Sequence, residues 1–422
     1  MKRFAVIGKP VAHSKSPQMF NRFFRNKGID AVYTRIASKN LKDALKTCRL
    51  LNIDGINATM PFKKELLETV DFASDEAKGV DGVNTVVFGN QLKGHNTDIY
   101  GALMPLKKRL KSLKDKKILI IGAGGAARAA LYAYKKENAI CYLSNRTYEK
   151  GREQAKKFGA YVVLFEKINS ILREIDIICY TIPVKIDLDI SQIKPSAIFF
   201  TAIYNQHFFK EECKKKGIIY IPGEEWLIEQ GKVACSLFGF DCKNGFPDSI
   251  LDKAKPKNRI ALIGFMGSGK STAGKLLAKK LDYQFIDLDK SIEKGEGKGI
   301  PEIFNNFGES YFRNLEYRYL SELKDKNRIV LATGGGIVES QYCFDMLKDY
   351  FFNIFLCGNP EDFFRRTENS SRPLRKGSNF FINLYRKRKD KYLMLSDLIL
   401  NSSIYTPEEI SDIIYYEFCK VL

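Results

Sequence analysis

Two stretches decide the fold: ILIIGAGGAA at 118–127 and IALIGFMGSGKST at 260–272. In each of them an apolar run of strand length ends in a glycine-rich turn, and a helix-like segment follows. That order opens a βαβ unit, and short apolar runs alternate with helix-like segments along most of the chain. We therefore predict an α/β protein built on parallel sheets.

Length and composition indicate a folded chain of more than one domain. The 422 residues exceed the size at which one hydrophobic core keeps growing. With 45% hydrophobic and 28% charged residues, the chain carries enough apolar material to exclude a disordered protein. The start, MKR followed by a strand-like run at 4–7, does not read as a signal peptide, and no apolar stretch has membrane-spanning length.

Cysteine and histidine usage favours a cytoplasmic protein. The nine cysteines are scattered singly, no CxxC pair occurs, and there are only three histidines. Neither a disulfide framework nor a zinc site is therefore expected.

The chain is strongly basic, with 69 Lys plus Arg against 49 Asp plus Glu and a formal charge of +20. Such a charge is compatible with nucleic acid, a membrane surface or small anionic substrates. Because the lysines are dispersed, we attribute the charge to a global compositional bias. We expect small-molecule substrates and neither a nucleic-acid nor a membrane partner, and the sequence leaves the oligomeric state open.

The glycine turn at 122–126 fits the pattern GxGxxG/A at the start of a helix. In this setting the first glycine makes the tight turn, and the helix N-terminus supplies amide donors to a pyrophosphate. A second strand, 139–143, ends in a tip that carries Arg146, which can pair with the 2′-phosphate of NADP, whereas an acidic residue would mark NAD. The alternative is a Rossmann-like turn without a cofactor and a solvated Arg146.

Four clusters of small polar residues precede that turn, at 13–17, 57–63, 82–85 and 94–98. Each follows a strand-like run, so we expect their side chains to converge on one cleft at strand carboxyl ends. Hydroxyls, amides, lysine and one aspartate suit a small polyhydroxylated anion. Taken singly, each cluster is an ordinary Asx turn or helix cap.

The motifs VIGKPVAHSKSPQMFN, NATMPFK, GVNT, HNTD, GAGGAAR and NRT, in this order, resemble shikimate dehydrogenase over roughly residues 1–250. The resemblance implies reduction of 3-dehydroshikimate by NADPH, with Lys63 and Asp98 as the catalytic pair. It implies that the substrate is held by Ser14, Ser16, Asn57, Thr59, Asn84, Tyr204 and Gln230. It implies that NADP is held by Gly122, Ala123, Gly124, Gly125, Ala126, Asn145, Arg146, Thr147 and Gly223.

Some positions depart from that family. Phe20 replaces a usual histidine, Thr201 stands where an aspartate is common, and 205–206 replaces a proline-containing turn. These departures keep open the alternative that the dehydrogenase half is weakened or non-catalytic and that only the second half of the chain is fully active.

The stretch GFMGSGKS at 264–271 matches GxxxxGK[ST] between a strand and a helix-like segment. In such a P-loop the backbone amides cradle phosphates, Lys270 reaches the β and γ phosphates, and the Ser271 hydroxyl joins the shell of Mg²⁺. The alternative is a glycine loop with a helix-starting Lys-Ser pair and no nucleotide.

The motifs FIDLD, FRNLE, ATGGG and RPL, with an arginine four positions before Tyr392, make residues 258–422 resemble shikimate kinase. The resemblance implies ATP binding by Gly267, Ser268, Gly269, Lys270, Ser271, Thr272, Arg366 and Arg372. It implies that Ser271 and Asp287 hold Mg²⁺ and that shikimate is held by Asp289, Arg313, Gly335, Gly336 and Arg388. Asp289 is implied as the base, and Arg372 as a lid residue that neutralises charge on the transferring phosphoryl group. Without that resemblance, the two aspartates read as solvated strand-end residues and 386–391 as an exposed helix face.

The two resemblances together imply a domain organisation. A substrate-binding domain covers 1–102 with a return segment at about 224–253, a Rossmann-like NADP domain covers 103–223, and a linker at 252–258 leads to a P-loop kinase domain at 258–422. Because the linker is polar and contains a proline, we expect independently closed cores and active fragments 1–253 and 257–422. The implied function is two consecutive steps of the shikimate pathway. A dehydrogenase acting on quinate with NAD is a further alternative, against which Arg146 argues.

Overall fold

Strands and helices alternate through most of the computed structural model, which describes residues 1–204, 206–242, 245–250, 258–368 and 377–419. The strands are β1 Lys2–Gly8, β2 Ala31–Ala37, β3 Gly55–Ala58, β4 Phe72–Ala73, β5 Thr85–Val87, β6 Lys93–His95, β7 Lys117–Ile121, β8 Ile140–Ser144, β9 Tyr161–Val163, β10 Ile177–Tyr180, β11 Ile198–Thr201, β12 Ile219–Ile221, β13 Arg259–Ile263, β14 Gln284–Asp287, β15 Ile329–Ala332, β16 Phe352–Cys357 and β17 Leu398–Asn401. The helices are α1 Ser16–Asn26, α2 Leu41–Leu51, α3 Lys63–Thr69, α4 Asp75–Val80, α5 Asp98–Lys107, α6 Gly125–Lys136, α7 Tyr148–Phe158, α8 Ile168–Ile171, α9 Lys210–Lys216, α10 Gly223–Leu237, α11 Lys270–Leu281, α12 Leu288–Glu296, α13 Ile300–Ser321, α14 Gln341–Tyr350, α15 Pro360–Arg366, α16 Ser378–Leu395 and α17 Pro407–Cys419. The prediction of an α/β protein with parallel sheets is confirmed.

The chain divides into two units, each assembled from separate stretches. The first consists of Met1–Pro17, Asp30–Ile53 and Asp252–Leu422, and the second of Gln18–Ile29 and Asp54–Leu251. This division is based on contacts within the structure. The domain bounds expected from the sequence are based on motifs, and they stay a proposal. The expected linker lies outside the described residues except for Asn258. In the described part of the chain, no helix is long and apolar enough to cross a membrane.

The sheet of the first unit has the strand order β14-β15-β13-β16-β17-β2-β1, with every neighbouring pair parallel. Strand β13, which lies between β15 and β16, is apolar and buried over Ile260–Ile263, as expected for a strand covered on both faces. The glycine-rich loop leaves the carboxyl end of this strand, where ligands bind in open α/β sheets.

The pairing of β17 with β2 corrects one expectation from the sequence. Ile399 lies opposite Ile36, so strands from the start and the end of the chain share one sheet. Arg3 adds two hydrogen bonds of 3.0 Å to the carboxylate of Asp390. Independently closed cores were therefore the wrong expectation for the first two strands.

The second unit carries a parallel sheet of order β12-β11-β10-β7-β8-β9 and a smaller one of order β3-β5-β6-β4. In the small sheet β3 and β6 both run antiparallel to β5. The side chains of β7 alternate between the two faces of the parallel sheet, and a hydrophobic core packs on each face. Ile118 and Ile120 pack in the core beneath α6, whereas Leu119 and Ile121 pack in the core on the other face.

One disulfide was not expected from the scattered cysteines. Cys235 near the end of α10 is bonded to Cys242, with the two Cα atoms 6.4 Å apart. The chain reverses between them at Gly239, whose φ of +88° favours glycine. The pair could not be found from spacing alone because it depends on that reversal.

Candidate functional sites

The P-loop is shaped by glycines that no other residue can replace without strain. Gly264 and Gly267 have φ of +143° and +81°, and a Cβ on Gly267 would lie 2.5 Å from the carbonyl oxygen of Phe363. Helix α11 begins at Lys270, whose Nζ donates to the carbonyl oxygens of Gly264 at 2.9 Å and Phe265 at 2.8 Å. The lysine side chain thus folds back onto the loop and contacts its backbone.

Two oxygen donors of the expected metal site lie together. The Ser271 hydroxyl donates to Oδ2 of Asp287 over 2.6 Å, at the N-terminus of α11 and the carboxyl end of β14. Hydroxyl and carboxylate oxygens are ligands that Mg²⁺ prefers. Among the described residues there is no group of three or more His, Cys, Asp or Glu side chains that could hold a metal ion, so most ligands of an ion here would come from phosphates and water.

A cavity of about 990 Å³ joins the P-loop to the residues expected to hold shikimate. Its lining includes 266–272, Asp287, and the full set Asp289, Arg313, Gly335, Gly336 and Arg388. Both groups of residues were singled out from separate motifs, and the fold brings them to one space. The cavity is large enough for a nucleotide and a small acid.

Two arginines that line this cavity are paired with carboxylates. Arg313 Nη1 lies 2.6 Å from Oε2 of Glu316, and Arg388 Nε lies 2.9 Å from Oε1 of Glu339. Gly336 makes room for the first arginine, because a Cβ there would lie 2.2 Å from Arg313 Nη2. Guanidinium groups that are held by hydrogen bonds in this way are preorganised to bind a carboxylate.

Glu316 was missed as a candidate although it lies within the quoted FRNLE motif. Its side chain is 0% exposed. Burial raises the pKa of Glu316 to about 7, against the opposing effect of Arg313. The signal in the sequence was its spacing of three residues from Arg313 on one helix, which places both on one face.

We expect Glu316→Gln to change how stability depends on pH. Because folding raises the pKa of Glu316 from 4.5 to about 7, its contribution is fully present below the lower value and is lost as the pH rises through the higher one. From about pH 5 to about pH 8, the native chain should lose melting temperature relative to Glu316→Gln. Thermal melts at several pH values test this, with the exposed Glu322→Gln as the matched control. A constant difference would contradict the expectation.

Two further arginines, Arg366 and Arg372, were expected to bind ATP. Arg366 lines the cavity, and its Nη2 donates to the carbonyl oxygen of Ser402 over 2.9 Å. Arg372, expected on the lid, lies outside the described residues.

In the second unit, the turn at 122–126 joins β7 to α6 as predicted. Gly122 has a φ of +114°, and a Cβ there would lie 2.5 Å from Oγ1 of Thr181. Gly124 caps the helix, and the side-chain amide of Gln154 donates to the carbonyl oxygen of Ala123 over 2.8 Å. This strand, tight turn and helix N-terminus make the geometry that accepts a pyrophosphate.

Arg146 is exposed in the loop after β8. Next to it, the amide of Asn145 donates to the carbonyl oxygen of Thr147 over 2.8 Å, which closes the loop on itself. The carboxyl ends of the adjacent parallel strands β7 and β8 bring this loop and the glycine turn to one edge of the sheet. Among the described residues, no carboxylate forms an ion pair with this exposed guanidinium.

Lys63 and Asp98 form an ion pair. Lys63 Nζ lies 2.6 Å from Asp98 Oδ2, and the two side chains are 17% and 8% exposed. Each residue begins a helix, α3 and α5 respectively. A Cβ on Gly125 would lie 3.4 Å from Lys63 Cδ, so the lysine also approaches the start of the dinucleotide-type helix.

Five polar side chains of the same unit form a hydrogen-bonded network. Asn57 Nδ2 donates to Thr85 Oγ1 over 2.8 Å, and Asn84 Nδ2 donates to Gln230 Oε1 over 3.1 Å. Thr97 N donates to Asn84 Oδ1 over 2.7 Å, which orients the Asn84 amide. Asn57, Asn84 and Gln230 were expected to hold the substrate, whereas the two threonines lie in the polar clusters 82–85 and 94–98 without having been assigned a role of their own.

The other expected residues of this half are distributed as follows. Ser14 and Ser16 belong to the first unit, are buried, and have hydroxyls 3.3 Å apart. Thr59 and Tyr204 are partly buried. Gly223 begins α10, where a Cβ would lie 2.4 Å from the backbone of Ile203, so only glycine fits.

Phe20, one of the departures from the family pattern, has a packing role. It is 1% exposed and lies in an aromatic cluster with Phe24, Phe238 and Phe246, with ring centroids 5.5 to 6.2 Å apart. Its replacement of a histidine therefore contributes apolar core and leaves the Lys63–Asp98 pair intact.

Comparison with known proteins gives matches along most of the chain. Family profiles match for the shikimate dehydrogenase substrate binding domain at residues 6–86, for shikimate / quinate 5-dehydrogenase at 105–185 and for shikimate kinase at 266–418. Shikimate dehydrogenase (NADP(+)) of Aquifex aeolicus is 37% identical over 237 residues, which is 54% of this chain and 87% of that protein.

Solved structures agree with the dehydrogenase matches. The crystal structure of shikimate dehydrogenase from Aquifex aeolicus has a TM-score of 0.54 and 35% identity, covering 57% of this chain and 94% of that chain. Shikimate 5-dehydrogenase from Thermus thermophilus, in complex with NADP(H) and shikimate, has a TM-score of 0.51 and 32% identity, with coverage of 57% and 94%.

Proposed function

Because the chain belongs to the shikimate dehydrogenase family and continues into a shikimate kinase domain, it is a bifunctional enzyme of the shikimate pathway, and we propose that it performs two consecutive steps. The first is reduction of 3-dehydroshikimate to shikimate with NADPH, and the second is phosphorylation of the new 3-hydroxyl with ATP. The observation that carries the first step is the Lys63–Asp98 ion pair beside Gly125. The second rests on one cavity that contains both the P-loop and two anchored arginines.

In the reduction, Lys63 acts on the ketone oxygen. NADPH supplies the hydride when bound at the turn 122–126. As the carbonyl accepts a hydride its oxygen gains negative charge, which the Lys63 ammonium stabilises and then neutralises by giving up a proton. Asp98, at 2.6 Å, keeps the ammonium aimed at that oxygen. Ser14, Ser16, Asn57, Thr59, Asn84, Tyr204 and Gln230 are proposed to hold the substrate.

In the phosphorylation, the chain binds and orients an acidic alcohol next to ATP. Arg313 and Arg388 would hold the carboxylate, since charge-assisted bonds from two guanidinium groups both bind and orient it. Asp289 lines the same cavity and would accept the proton of the attacking hydroxyl. Lys270 would bind the phosphates, and Arg372 is proposed to add charge from the lid.

Mg²⁺ fits the oxygen donors of Ser271 and Asp287. When bound, the ion would neutralise charge on the phosphates of ATP. The Ser271–Asp287 hydrogen bond of 2.6 Å supports this proposal because it already brings the two donors together.

The cofactor of the reduction is proposed to be NADPH, recognised through Arg146. Arg146→Leu should raise the KM for NADPH far more than that for NADH, because only NADPH loses a charge-assisted bond to its 2′-phosphate. Steady-state kinetics with both cofactors measure this, and Arg152→Leu, exposed on the following helix, is the control. Equal effects on both cofactors would count against the assignment.

The two activities are tested separately on the intact chain. NADPH oxidation is followed with 3-dehydroshikimate in the absence of ATP, and ADP formation is followed with shikimate, ATP and Mg²⁺ in the absence of NADPH. Activity in both assays supports the proposal. Kinase activity alone would favour a non-catalytic dehydrogenase half, and faster turnover of quinate with NAD would identify a different substrate.

A further inference from the structure

The loop that carries Ser14 and Ser16 is held by a side chain from the other end of the chain. The backbone N–H groups of Val11 and Ala12 both donate to Oε2 of Glu417, over 2.7 Å and 2.8 Å. Glu417 lies on α17 and is 1% exposed. One carboxylate oxygen thus satisfies two consecutive buried donors of the loop.

The same loop is fixed a second time at Ser14. Arg35 Nε and Nη2 both donate to the carbonyl oxygen of Ser14, over 3.0 Å and 2.6 Å, and Nη1 donates to the carbonyl oxygen of Asp397 over 3.1 Å. Asp397 immediately precedes β17, so the guanidinium ties the serine loop to the end of the sheet that the kinase domain contributes.

The surrounding contacts hold α17 and β17 in place without Glu417. Thr34 and Ser396 hydroxyls lie 3.1 Å apart, and the Tyr405 hydroxyl accepts from the backbone N–H of Lys39 over 3.0 Å. Lys39 also forms an exposed ion pair with Glu409. These bonds, with the β17–β2 pairing, allow Glu417 to be changed while the strands stay together.

The carboxylate of Glu417 is retained in an unfavourable environment. Burial raises its pKa, although the N–H groups of the loop oppose that shift. A buried donor left without a partner costs free energy, so removing the acceptor would release the loop or leave two N–H groups unsatisfied. The side chain of Glu417 therefore helps to fix the backbone of the loop at Val11 and Ala12.

We propose that Glu417 is a positioning residue for the dehydrogenase reaction. By holding Val11 and Ala12 it sets the positions of the Ser14 and Ser16 hydroxyls, so that a helix of the kinase domain maintains part of the binding site for 3-dehydroshikimate. This inference rests on the proposed function, which assigns those two serines to the substrate. It makes the dehydrogenase half dependent on the kinase half to which it is fused.

The test is the kinetics of the full chain carrying Glu417→Ala. We expect the KM for 3-dehydroshikimate to rise about tenfold, with kcat and the KM for NADPH changed less than about twofold. The kinase constants should stay within about twofold of the native ones, because Glu417 does not line the kinase cavity. Glu408→Ala, exposed on the same helix, is the matched control. An unchanged KM for 3-dehydroshikimate in Glu417→Ala overturns the inference.

Two further variants separate positioning from a loss of stability. Glu417→Gln keeps an oxygen at the same reach and should restore a nearly native KM, whereas Glu417→Asp is one methylene shorter and should resemble Glu417→Ala. Equal constants for the Gln and Asp variants overturn the inference, and this comparison decides the question if Glu417→Ala does not fold. Ser16→Ala separates the two proposals: a native KM in that variant overturns the assignment of the serine, while a raised KM beside a native value in Glu417→Ala overturns only the positioning role.

Discussion

Lys270→Ala is expected to lower the kinase kcat by on the order of a thousandfold or more while NADPH oxidation stays at the native rate. We propose that this ammonium reaches the transferring phosphates; in the structure it donates to the carbonyl oxygens of Gly264 and Phe265. Its removal deletes charge stabilisation that is needed most in the transition state. Those contacts lie within one loop, so the Lys63–Asp98 pair should be unaffected.

Lys275→Ala is the control for that prediction, since Lys275 is an exposed lysine on the same helix. It should keep both activities. ADP formation and NADPH oxidation, measured on the same preparation, give the comparison. Comparable loss of both activities in Lys270→Ala would contradict the separation of the two sites.

Lys63→Ala is expected to lower the dehydrogenase kcat by on the order of two or more powers of ten, with folding and kinase activity retained. The lysine is the only group of the polar cluster 57–63 that can both stabilise an oxyanion and deliver a proton. Its ammonium is paired with Asp98 at 2.6 Å, so the loss also leaves a nearly buried carboxylate without its partner.

The neighbouring Lys64→Ala provides the control, because Lys64 is exposed on the same turn of α3. Single-turnover measurements of NADPH oxidation separate the chemical step from substrate binding. Near-native turnover in Lys63→Ala would refute the assignment of this lysine.

The sequence predicted the local architecture well because the signals are local. A strand, a glycine turn and a helix N-terminus are contiguous at Gly122–Ala126 and at 264–271, and steric rules restrict what such a segment can form. The alternation of Ile118 and Ile120 against Leu119 and Ile121 likewise follows from the strand period. The candidate site residues on these segments could therefore be named from the sequence, and their roles stay predictions.

Contacts between distant parts of the chain could not be predicted. Arg35 and Glu417 act on one loop, yet they are 382 positions apart, as the difference between 417 and 35 shows. Nothing local marks that β17 pairs with β2, because an apolar strand can pair with many partners. The expectation of independent cores failed for this reason. Glu316 was overlooked because its raised pKa depends on complete burial, which a helix pattern does not specify.

The central claim is that one chain makes the hydroxyl and then phosphorylates it. The direct measurement supplies the intact protein with 3-dehydroshikimate, Mg²⁺, NADPH deuterated at both C4 hydrogens and ATP labelled with ¹⁸O in its γ-phosphate, and determines the mass and the labelled positions of the product. The account predicts shikimate 3-phosphate with one deuterium on the carbon that bears the labelled phosphate. A phosphorylated product without deuterium, or deuterated shikimate that the chain never phosphorylates, would contradict it.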